Sequence, residues 1–274
     1  RKIIQIFYYF NMKKVVINGY KGFIATNYFK KYKNIQKIIH YKKDINNLIE
    51  FKKFITKKKP THLIHLAGLS RVNCINNSKD CVKTNFQSIK KIISYLNTLK
   101  NKPFFIFISS CHVYAPSHKK LKENSKLNPK DLYGNLKLKS EMYIKKNYKK
   151  HCILRLFNVH GKNPPKGIFH TDMLHKLKNN QSITINNSIR DFIHVNEVSK
   201  IIYFIIKKNI KKTINLGSGL EYKLEGIIKN LIKKNKIRKH KVTIKNKKDK
   251  IVADISLLKK LGYKSVNNDK YINF

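Results

Sequence analysis

The stretch KVVINGYKGFIATNYF, residues 14–29, predicts how the chain begins to fold. KVVIN is a short apolar run typical of a buried strand, and the apolar spacing after the glycines is typical of a helix. Gly19, Gly22 and Ala25 recur every three residues between them. In such a turn the first glycine allows a tight bend, the second lets backbone approach a pyrophosphate, and a small third residue lets helix and strand pack closely.

This turn predicts a dinucleotide site, because the N-terminus of a helix offers free N–H groups and a positive dipole to phosphates. The alternative is a purely structural turn. The residues that we expect to contact the cofactor are Gly19, Lys21, Gly22, Phe23 and Ile24.

Short apolar runs alternate with longer amphipathic segments along the rest of the chain. We predict six strands, at 14–18, 37–41, 62–68, 104–110, 152–158 and 213–219. Lysine-coated segments with helical apolar spacing separate them. Strands that alternate with helices form parallel sheets with right-handed crossovers, so we predict an α/β protein with a doubly wound parallel sheet.

Lysine dominates the composition: 56 of the 274 residues are Lys, and the formal net charge is +47. A charge of that size raises nucleic acid or an anionic membrane surface as partners. The lysines are spread along the whole chain, however, and the patterns of RNA-binding modules are missing. We therefore expect loose, salt-sensitive adhesion to RNA as a by-product, with no dedicated nucleic-acid function and no membrane partner.

Cysteine use and hydropathy bear on the compartment. The four cysteines are Cys74, Cys81, Cys111 and Cys152. They show no C-x-x-C spacing, so we predict four reduced thiols in a cytoplasmic protein and no metal site. No apolar run approaches the roughly 18 residues of a membrane helix. Residues 1–11 directly precede Met12; we expect a non-native extension there, the alternative being a short extra strand.

A tyrosine and a lysine four residues apart, Tyr133 and Lys137, are a candidate proton-transfer pair. Because about one residue in five is Lys, the 15 Tyr should give about three such pairs by chance, and the chain has three. The other two are Tyr9 with Lys13 and Tyr203 with Lys207. Their surroundings differ, since Tyr133 begins a predicted helix and lies 23 residues after Ser110, which ends a predicted buried strand.

Nine motifs follow one another from Met12 nearly to the end of the sequence. They are GYKGFIA, HLIHLAG, KTNFQSIKKII, FIFISSCHVYA, YGNLKLKSE, LRLFNVHG, RDFIHVNEVSKII, INLGSG and KKLGY. With these motifs the chain resembles the extended short-chain dehydrogenases/reductases, the nucleotide-sugar epimerase/dehydratase family. The resemblance implies a Rossmann-type fold with a small C-terminal substrate-binding subdomain, a nicotinamide cofactor and a nucleotide-sugar substrate.

The resemblance assigns proton transfer to Ser110, Tyr133 and Lys137. A tyrosine with a pKa near 10 is a poor base at pH 7. We expect the ammonium of Lys137 one helical turn away, together with a cationic nicotinamide, to favour the phenolate. His112, two positions after Ser110, is predicted to be an additional acid or base; the alternative is a histidine packed or solvated in a loop.

Binding roles follow from the same resemblance. The positions expected to line the cofactor are Ala67, Gly68, Asn85, Tyr133 and Lys137. Asn158 and Arg190 are expected to contact the substrate near its diphosphate, where a bidentate guanidinium binds strongly. The alternative for Arg190 is an ion pair with the adjacent Asp191.

The segment HYKKD, residues 40–44, bears on the choice between NAD and NADP. An NAD enzyme carries an acidic residue about 20 positions after the glycine turn, where it binds the adenosine ribose. Here His40, Tyr41 and two lysines replace that carboxylate, and Lys21 lies in the turn itself. Cationic groups can bind the 2′-phosphate that NADP carries and NAD lacks. Both cofactors remain possible, and NADP is slightly favoured.

Three functions are compatible with these motifs. The second-half motifs favour an epimerase that acts at C4 of a nucleoside-diphosphate sugar. The short span from Gly19 to His62 instead resembles NADPH-dependent reductases of 4-keto-6-deoxy sugars linked to dTDP or GDP. The third function is a non-catalytic NAD(P)-binding sensor or scaffold. A dehydratase is disfavoured, because Cys111 and His112 stand where dehydratases carry acidic groups.

Domain organisation and assembly follow from the resemblance as well. We expect a homodimer formed through helices near 81–100 and 132–148, although an apolar stripe on these helices would also serve packing within the monomer. The expected NAD(P)-binding domain comprises 12–157 with 189–216, and the expected substrate-binding part comprises 158–188 with 217–274.

Overall fold

The computed structural model of the chain describes residues 13–264. Residues 1–12 and 265–274 lie outside the described part, and so does the expected extension at residues 1–11. Strands and helices alternate along the described residues, as predicted. None of the helices in this range combines the length and the apolar character needed to cross a membrane.

Six parallel strands form the central sheet. In chain order the strands β1 to β11 of the described residues are Lys14–Asn18, Lys37–His40, His62–His65, Phe104–Ser110, His151–Leu156, Asn158–His160, Ile183–Arg190, Phe192–His194, Thr213–Leu216, Tyr222–Lys223 and Val242–Ile251. The order in the central sheet is β2-β1-β3-β4-β5-β9. These are the six predicted strands, so the predicted α/β fold is confirmed.

Helices cover both faces of this sheet. In chain order the helices α1 to α10 are Phe23–Tyr32, Leu48–Lys58, Arg71–Asn76, Ser78–Val82, Ser88–Thr98, Leu132–Asn147, Phe169–Lys178, Val195–Lys208, Leu224–Lys234 and Ser256–Lys260. A π-helical turn, Lys83–Gln87, leads into α5, and a 3-10 turn, Cys111–Val113, follows β4. Apolar residues of α1 and α8 pack on one face, and those of α2, α5 and α6 pack on the other. Burial on both faces explains why β4 is buried along its whole length.

Three strands outside the central sheet form a smaller unit. Its strands have the order β10-β7-β11, and with α7 and α9 they enclose a separate apolar cluster that includes Ile183, Phe192 and Ile228. β6 and β8 form a short parallel pair. After β11 the chain returns to the central sheet, where Leu258 of α10 joins the main core.

A buried ion pair joins α6 to β5. Arg155 Nη2 donates to Glu141 Oε2 at 2.7 Å, and its Nε lies 3.0 and 3.1 Å from the two carboxylate oxygens. The exposed fractions of the two side chains are 1% and 0%. Arg155 Nη1 also donates to the Tyr114 hydroxyl and to the Glu123 carbonyl, and the Ser109 hydroxyl donates to Glu141. Both charges are therefore hydrogen-bonded, as buried charges require.

The cysteines differ from the prediction. Cys74 and Cys81 form a disulfide, whereas Cys111 and Cys152 are buried free thiols. The prediction of four reduced thiols is therefore wrong for the first two. Two short successive helices, α3 and α4, bring their Cα atoms to 5.0 Å, within the range of disulfides. The spacing of seven residues alone gives no sign of this approach.

Replacing Glu141 tests the buried ion pair. Glu141→Gln leaves Arg155 charged and buried without its partner, which should lower the free energy of unfolding by about 3–5 kcal/mol. Glu225→Gln is the matched control, because the side chains of Glu225 and its partner Lys229 are 37% and 73% exposed, and such pairs contribute about 0–1 kcal/mol. Urea unfolding of the three proteins measures the difference, and equal losses in the two variants would contradict the assignment.

Candidate active site

Ser110 and Tyr133 meet at the carboxyl end of the central sheet. Ser110 ends β4 and is 5% exposed, and its hydroxyl lies near enough to that of Tyr133 to lower the pKa of Tyr133. Asp131 caps α6 by accepting the Gly134 N–H at 2.8 Å, which places Tyr133 in the first turn. A Cβ at Gly134 would clash with the carbonyl oxygen of His112. Only glycine at this position lets α6 begin so close to the end of β4.

Lys137 differs from the other lysines because it is buried. It is 8% exposed, and within residues 13–264 no other lysine is buried. Its Nζ donates to the Ile108 carbonyl at 2.9 Å and lies 4.9 Å from the Phe107 ring centroid and 5.7 Å from the Tyr133 ring centroid. Burial lowers the pKa of Lys137 to about 8, although the nearby Glu141 carboxylate acts in the opposite direction.

The tyrosine hydroxyl is protonated at neutral pH in this arrangement. Burial raises the pKa of Tyr133 to about 12, and the nearby Ser110 hydroxyl offsets this only in part. Lys137 Nζ donates to the Ile108 carbonyl rather than to the phenol oxygen, so the expected stabilisation of a phenolate by Lys137 stays a prediction.

The second Tyr-x-x-x-Lys pair lies in a different environment. The Tyr203 ring stacks on Tyr32 with a centroid distance of 4.4 Å, and Lys207 is exposed near the end of α8. Tyr9 of the third pair lies outside the described residues. Within the described part, Tyr133 and Lys137 are therefore the pair that joins a strand-end serine.

A cavity of about 310 Å³ opens beside Ser110 and Tyr133. Ligands of open parallel sheets bind at this edge, beyond the carboxyl ends of the strands. The predicted site residues that line the cavity are Ile24, Gly68, Ser110, His112, Tyr133, Lys137 and Asn158. Arg71 also lines it but was not predicted from the sequence.

The glycine turn fits the phosphates of a dinucleotide. Gly19 has a φ of +67°, and a Cβ there would lie 2.6 Å from the Ala67 nitrogen. Gly22 is the N-cap of α1, no side chain caps this helix, and its first turn contains no acidic residue. The N–H groups at Phe23 and Ile24 therefore open the helix without a side-chain acceptor. Lys21 is exposed beside them.

Asn18 ties the glycine turn to the next strand. Its Oδ1 accepts the N–H groups of Leu66 and Ala67, both at 2.9 Å, and its Nδ2 lies 2.8 Å from His65 Nδ1. Because Leu66 and Ala67 donate to this side chain, β3 ends earlier than predicted. Asn18 was not predicted to have a role, although a polar residue that ends a buried apolar strand was a usable signal.

Asn85 supports the loop that carries Gly68. Its Oδ1 accepts the Leu69 N–H at 2.8 Å and its Nδ2 donates to the Leu69 carbonyl at 3.0 Å. The residue is 2% exposed and lies in the π-helical turn, behind the cavity lining rather than in it. Its Nδ2 also approaches the sulfur atoms of Cys74 and Cys81 at 3.4 and 3.5 Å.

The residues after β2 occupy distinct positions. Tyr41 is 2% exposed and belongs to the core, so it does not stand in for a ribose-binding carboxylate. The His40 ring lies between Tyr20 and Phe29, with centroid distances of 5.7 and 4.6 Å. Lys42 and Lys43 are exposed, as Lys21 is. Three exposed cationic side chains are thus available near this end of the glycine turn.

Arg190 forms an ion pair with Asp249. Its Nη1 and Nη2 donate to the two carboxylate oxygens of Asp249 in β11, at 3.1 and 2.7 Å. The adjacent Asp191 is fully buried and accepts the Ser218 N–H and hydroxyl and the Gly219 N–H, each at 2.8 Å. The alternative ion pair between Arg190 and Asp191 is therefore wrong. Burial also raises the pKa of the Asp191 carboxyl.

Asn158 lines the cavity. Its Nδ2 donates to the Asp191 carbonyl at 2.8 Å, which fixes the amide at the cavity wall. Among residues 13–264, no group of three or more His, Cys, Asp or Glu side chains is arranged to hold a metal ion.

Known proteins match both the sequence and the fold. The curated GDP-6-deoxy-D-talose 4-dehydrogenase of Aggregatibacter actinomycetemcomitans is 26% identical over 246 residues, which are 85% of this chain and 82% of that protein. The UDP-glucose 4-epimerase of Thermus thermophilus in complex with NAD superposes with a TM-score of 0.80 at 14% identity, covering 94% of this chain and 96% of that one.

The dTDP-4-dehydrorhamnose reductase of Bacillus anthracis in complex with NADP has a TM-score of 0.80 at 16% identity, covering 93% of this chain and 94% of that one. At such identities these two structures confirm the fold alone. The model of the NAD dependent epimerase/dehydratase family matches residues 16–217, most of the chain. This match confirms the resemblance and the predicted NAD(P)-dependent enzyme: the chain belongs to the NAD-dependent epimerase/dehydratase family.

Proposed function

We propose that the protein transfers hydride at C4 of a nucleoside-diphosphate sugar, with Tyr133 as the acid and base. The observation that carries this proposal is that Ser110, Tyr133 and the buried Lys137 line one cavity at the end of β4. The names of the relatives support it, since one is a nucleotide-sugar 4-dehydrogenase and another a nucleotide-sugar 4-epimerase.

The proposed chemistry divides between the cofactor and three side chains. A bound nicotinamide accepts or supplies the hydride. Tyr133 removes the proton of the C4 hydroxyl during oxidation and returns it during reduction. Ser110 holds the same oxygen. Lys137 keeps positive charge beside the phenol, because a pKa of about 8 leaves most of it protonated at pH 7, and it is also proposed to hold the nicotinamide ribose.

The glycine turn is proposed to bind the cofactor pyrophosphate through Gly19, Lys21, Gly22, Phe23 and Ile24, with Ala67, Gly68 and Asn85 shaping the next loop. Neighbouring structures hold NAD in one case and NADP in another. Lys21 in the glycine turn and Lys42 and Lys43 after β2 are exposed. Their positive charges favour a cofactor with a 2′-phosphate. NADP is therefore the cofactor that the surface charge supports better.

The substrate is proposed to lie against Asn158 and Arg190. Asn158 lines the cavity, whereas Arg190 is paired with Asp249, so a diphosphate at Arg190 has to share or displace that carboxylate. The unit formed by β7, β10 and β11 supports a substrate-binding part at 158–188 with 217–274. A homodimer through α5 and α6 is also part of the proposal, supported by the 63% exposure of the apolar Met142 on α6.

Epimerase and reductase are the two candidate reactions. The family match and the second-half motifs favour an epimerase, whereas the 26% identical relative is a 4-dehydrogenase and favours a reductase. A sensor or scaffold is less well supported, because the Ser110, Tyr133 and Lys137 unit is complete and meets in one cavity.

Removing the Tyr133 hydroxyl tests the proton path. Tyr133→Phe should lower turnover by about 10²–10⁴-fold, the usual contribution of a general acid or base, while NAD(P)H binding measured by calorimetry changes little. Tyr203→Phe is the control from the second Tyr-x-x-x-Lys pair and should retain wild-type turnover. Similar losses in both variants would show that the motif has no catalytic meaning.

The pH dependence of stability tests the burial of Lys137. Folding lowers the pKa of Lys137 from 10.5 to about 8. At a pH between these two pKa values the unfolded state binds more protons than the folded state, so the free energy of unfolding rises with pH. Relative to Lys137→Met, the free energy of unfolding of the wild type should increase by about 2 kcal/mol from pH 7 to pH 9.5. Urea titrations at both pH values measure this, and a pH-independent difference would contradict it.

Substrate assays separate the two reactions. The protein is incubated with UDP-glucose or UDP-N-acetylglucosamine in the presence of NAD⁺ or NADP⁺, and with 4-keto-6-deoxy nucleotide sugars in the presence of NADH or NADPH. The absorbance of the reduced cofactor is followed in each case. Interconversion of C4 epimers without net change of cofactor identifies an epimerase, and stoichiometric loss of NAD(P)H with the keto sugars alone identifies a reductase. We expect a lower KM for NADPH than for NADH in the second case. Inactivity of the folded, cofactor-binding protein on all of these substrates would remove the support for both reactions.

A further inference from the structure

The Cys74–Cys81 disulfide fastens a segment whose other side chains are mostly in solvent. Residues 71–80 span α3 and most of α4, and Cys74 is the one buried residue among these ten. Even the apolar Val72 and Ile75 beside it are exposed. A segment with so few buried apolar contacts opens locally at a small cost in free energy. The covalent bond from Cys74 to the buried Cys81 is therefore an important part of its attachment to the fold.

The fastened segment begins in the wall of the cavity. Leu69, Ser70 and Arg71 line the cavity, and the Cys74 N–H donates to the Ser70 carbonyl at 2.9 Å in the first turn of α3. Arg71 Nε also donates to Asp131 Oδ2 at 2.6 Å, but the Arg71 side chain is half exposed, and exposed ion pairs contribute little. Movement of Cys74 therefore moves the part of the cavity wall that precedes it.

Asn85 connects the two sulfur atoms to the loop before α3. Its Nδ2 lies 3.4 and 3.5 Å from the sulfur atoms of Cys74 and Cys81, and the same amide exchanges two hydrogen bonds with the backbone of Leu69. A Cβ at Gly68 would lie 3.0 Å from its Oδ1, so the amide also packs on that glycine. A thiolate accepts a hydrogen bond more strongly than a neutral disulfide does. The redox state of the sulfur atoms therefore acts on a side chain that positions this loop.

The disulfide also packs against the start of α6. Cys74 and Cys81 form one apolar cluster with the buried Leu136, and the side chains of Leu69 and Tyr133 pack against it. Because packed side chains leave few voids, a change in the separation of the two sulfur atoms has to be accommodated by these neighbours. The cluster thus links the cysteine pair to two separate parts of the cavity wall, the loop before α3 and the first turns of α6.

We propose that Cys74 and Cys81 are a reversible redox switch that couples the thiol state of this pair to cofactor binding, with a dithiol reductant as its chemical partner. In the disulfide state the loop at residues 68–71 is held in the position that shapes the cofactor site. In the dithiol state α3 and α4 loosen, and the cofactor binds more weakly. This inference rests on the proposed function, which places the cofactor beside Gly68 and Asn85.

The switching step is thiol–disulfide exchange. A thiolate of the dithiol attacks one sulfur atom of the pair, the S–S bond breaks, and the other cysteine leaves as a thiolate that takes a proton. The second thiol of the reductant then displaces the remaining cysteine from the mixed disulfide. Two electrons and two protons pass to the protein, the reductant becomes a disulfide, and the reverse sequence restores the bond. Because Cys74 and Cys81 are buried, the exchange follows local opening of α3 and α4.

Cofactor affinity and redox state are measured independently of catalysis. Calorimetry compares the binding of NADPH and of NADH to the full-length protein in oxidised and in reduced dithiothreitol. Reduction should weaken binding about fivefold or more, the lower end of the couplings between linked sites. Linkage then requires that saturating cofactor make the pair harder to reduce by the same factor. Thiol trapping and mass spectrometry over a series of dithiothreitol redox ratios measure that equilibrium at Cys74 and Cys81.

Two variants assign the effect to this cysteine pair. The double variant Cys74→Ala/Cys81→Ala cannot form the bond, so it should bind the cofactor as the reduced wild type does and should not respond to dithiothreitol. Cys152→Ala is the matched control, because Cys152 is a buried free thiol in β5, and this variant should respond as the wild type does. A double variant that still responds to dithiothreitol would assign the effect to another thiol and overturn the inference.

Circular dichroism of the reduced protein separates a switch from a purely structural bond. Reduced protein that stays folded and binds the cofactor with unchanged affinity overturns the switch alone. Protein that unfolds on reduction, or whose disulfide resists reduction in the native state, also overturns it, because the disulfide is then structural only. Folded protein that binds neither NADPH nor NADH in either redox state overturns the proposed function and this inference with it.

Discussion

The buried ion pair between Glu141 and Arg155 is the contact on which the geometry of the site depends. Tyr133, Lys137 and Glu141 lie four residues apart along α6, so they share one face of the helix. The face that presents the phenol and the ammonium to β4 is therefore the face that the ion pair anchors to β5. Ser109, the neighbour of Ser110, donates to the same carboxylate. Rotation of α6 away from Ser110 would break the buried pair, which is why the helix has one orientation.

The lysine-rich composition is compatible with this fold because it is confined to the surface. A charged lysine in the core loses hydration that nothing in an apolar environment replaces, so a chain with 56 lysines can fold only if nearly all of them reach solvent. Lys137 is the exception among the described residues. Burial, rather than spacing, is what distinguishes its Tyr-x-x-x-Lys pair from the one in α8, where the lysine is solvated.

The strands, the glycine turn and the position of Tyr133 were predictable because each depends on residues close together in the sequence. Apolar runs predict buried strands, and glycines at fixed spacing predict a tight turn before a helix. Arg71 with Asp131, Arg190 with Asp249 and Glu141 with Arg155 were not predicted. Each joins side chains that only the folded chain brings together, and no local pattern specifies such a partner. Asn18 was predictable only in part. The sequence indicates that it ends a strand, but not that its side chain accepts hydrogen bonds from the residues after β3.

Tyr133 and Lys137, the proposed proton-transfer groups, are costly to bury, and this cost is related to the chemistry proposed for them. Burial raises the pKa of Tyr133 to about 12 and lowers that of Lys137 to about 8, so each group resists its charged form when considered alone. In the proposed reaction the phenol loses and regains its proton, which a fixed positive charge nearby makes easier. The same burial that destabilises the lysine charge keeps water from screening it. The hydrogen-bonded ion pair between Glu141 of α6 and Arg155 of β5 holds α6 in place and so keeps both groups in this unfavourable environment.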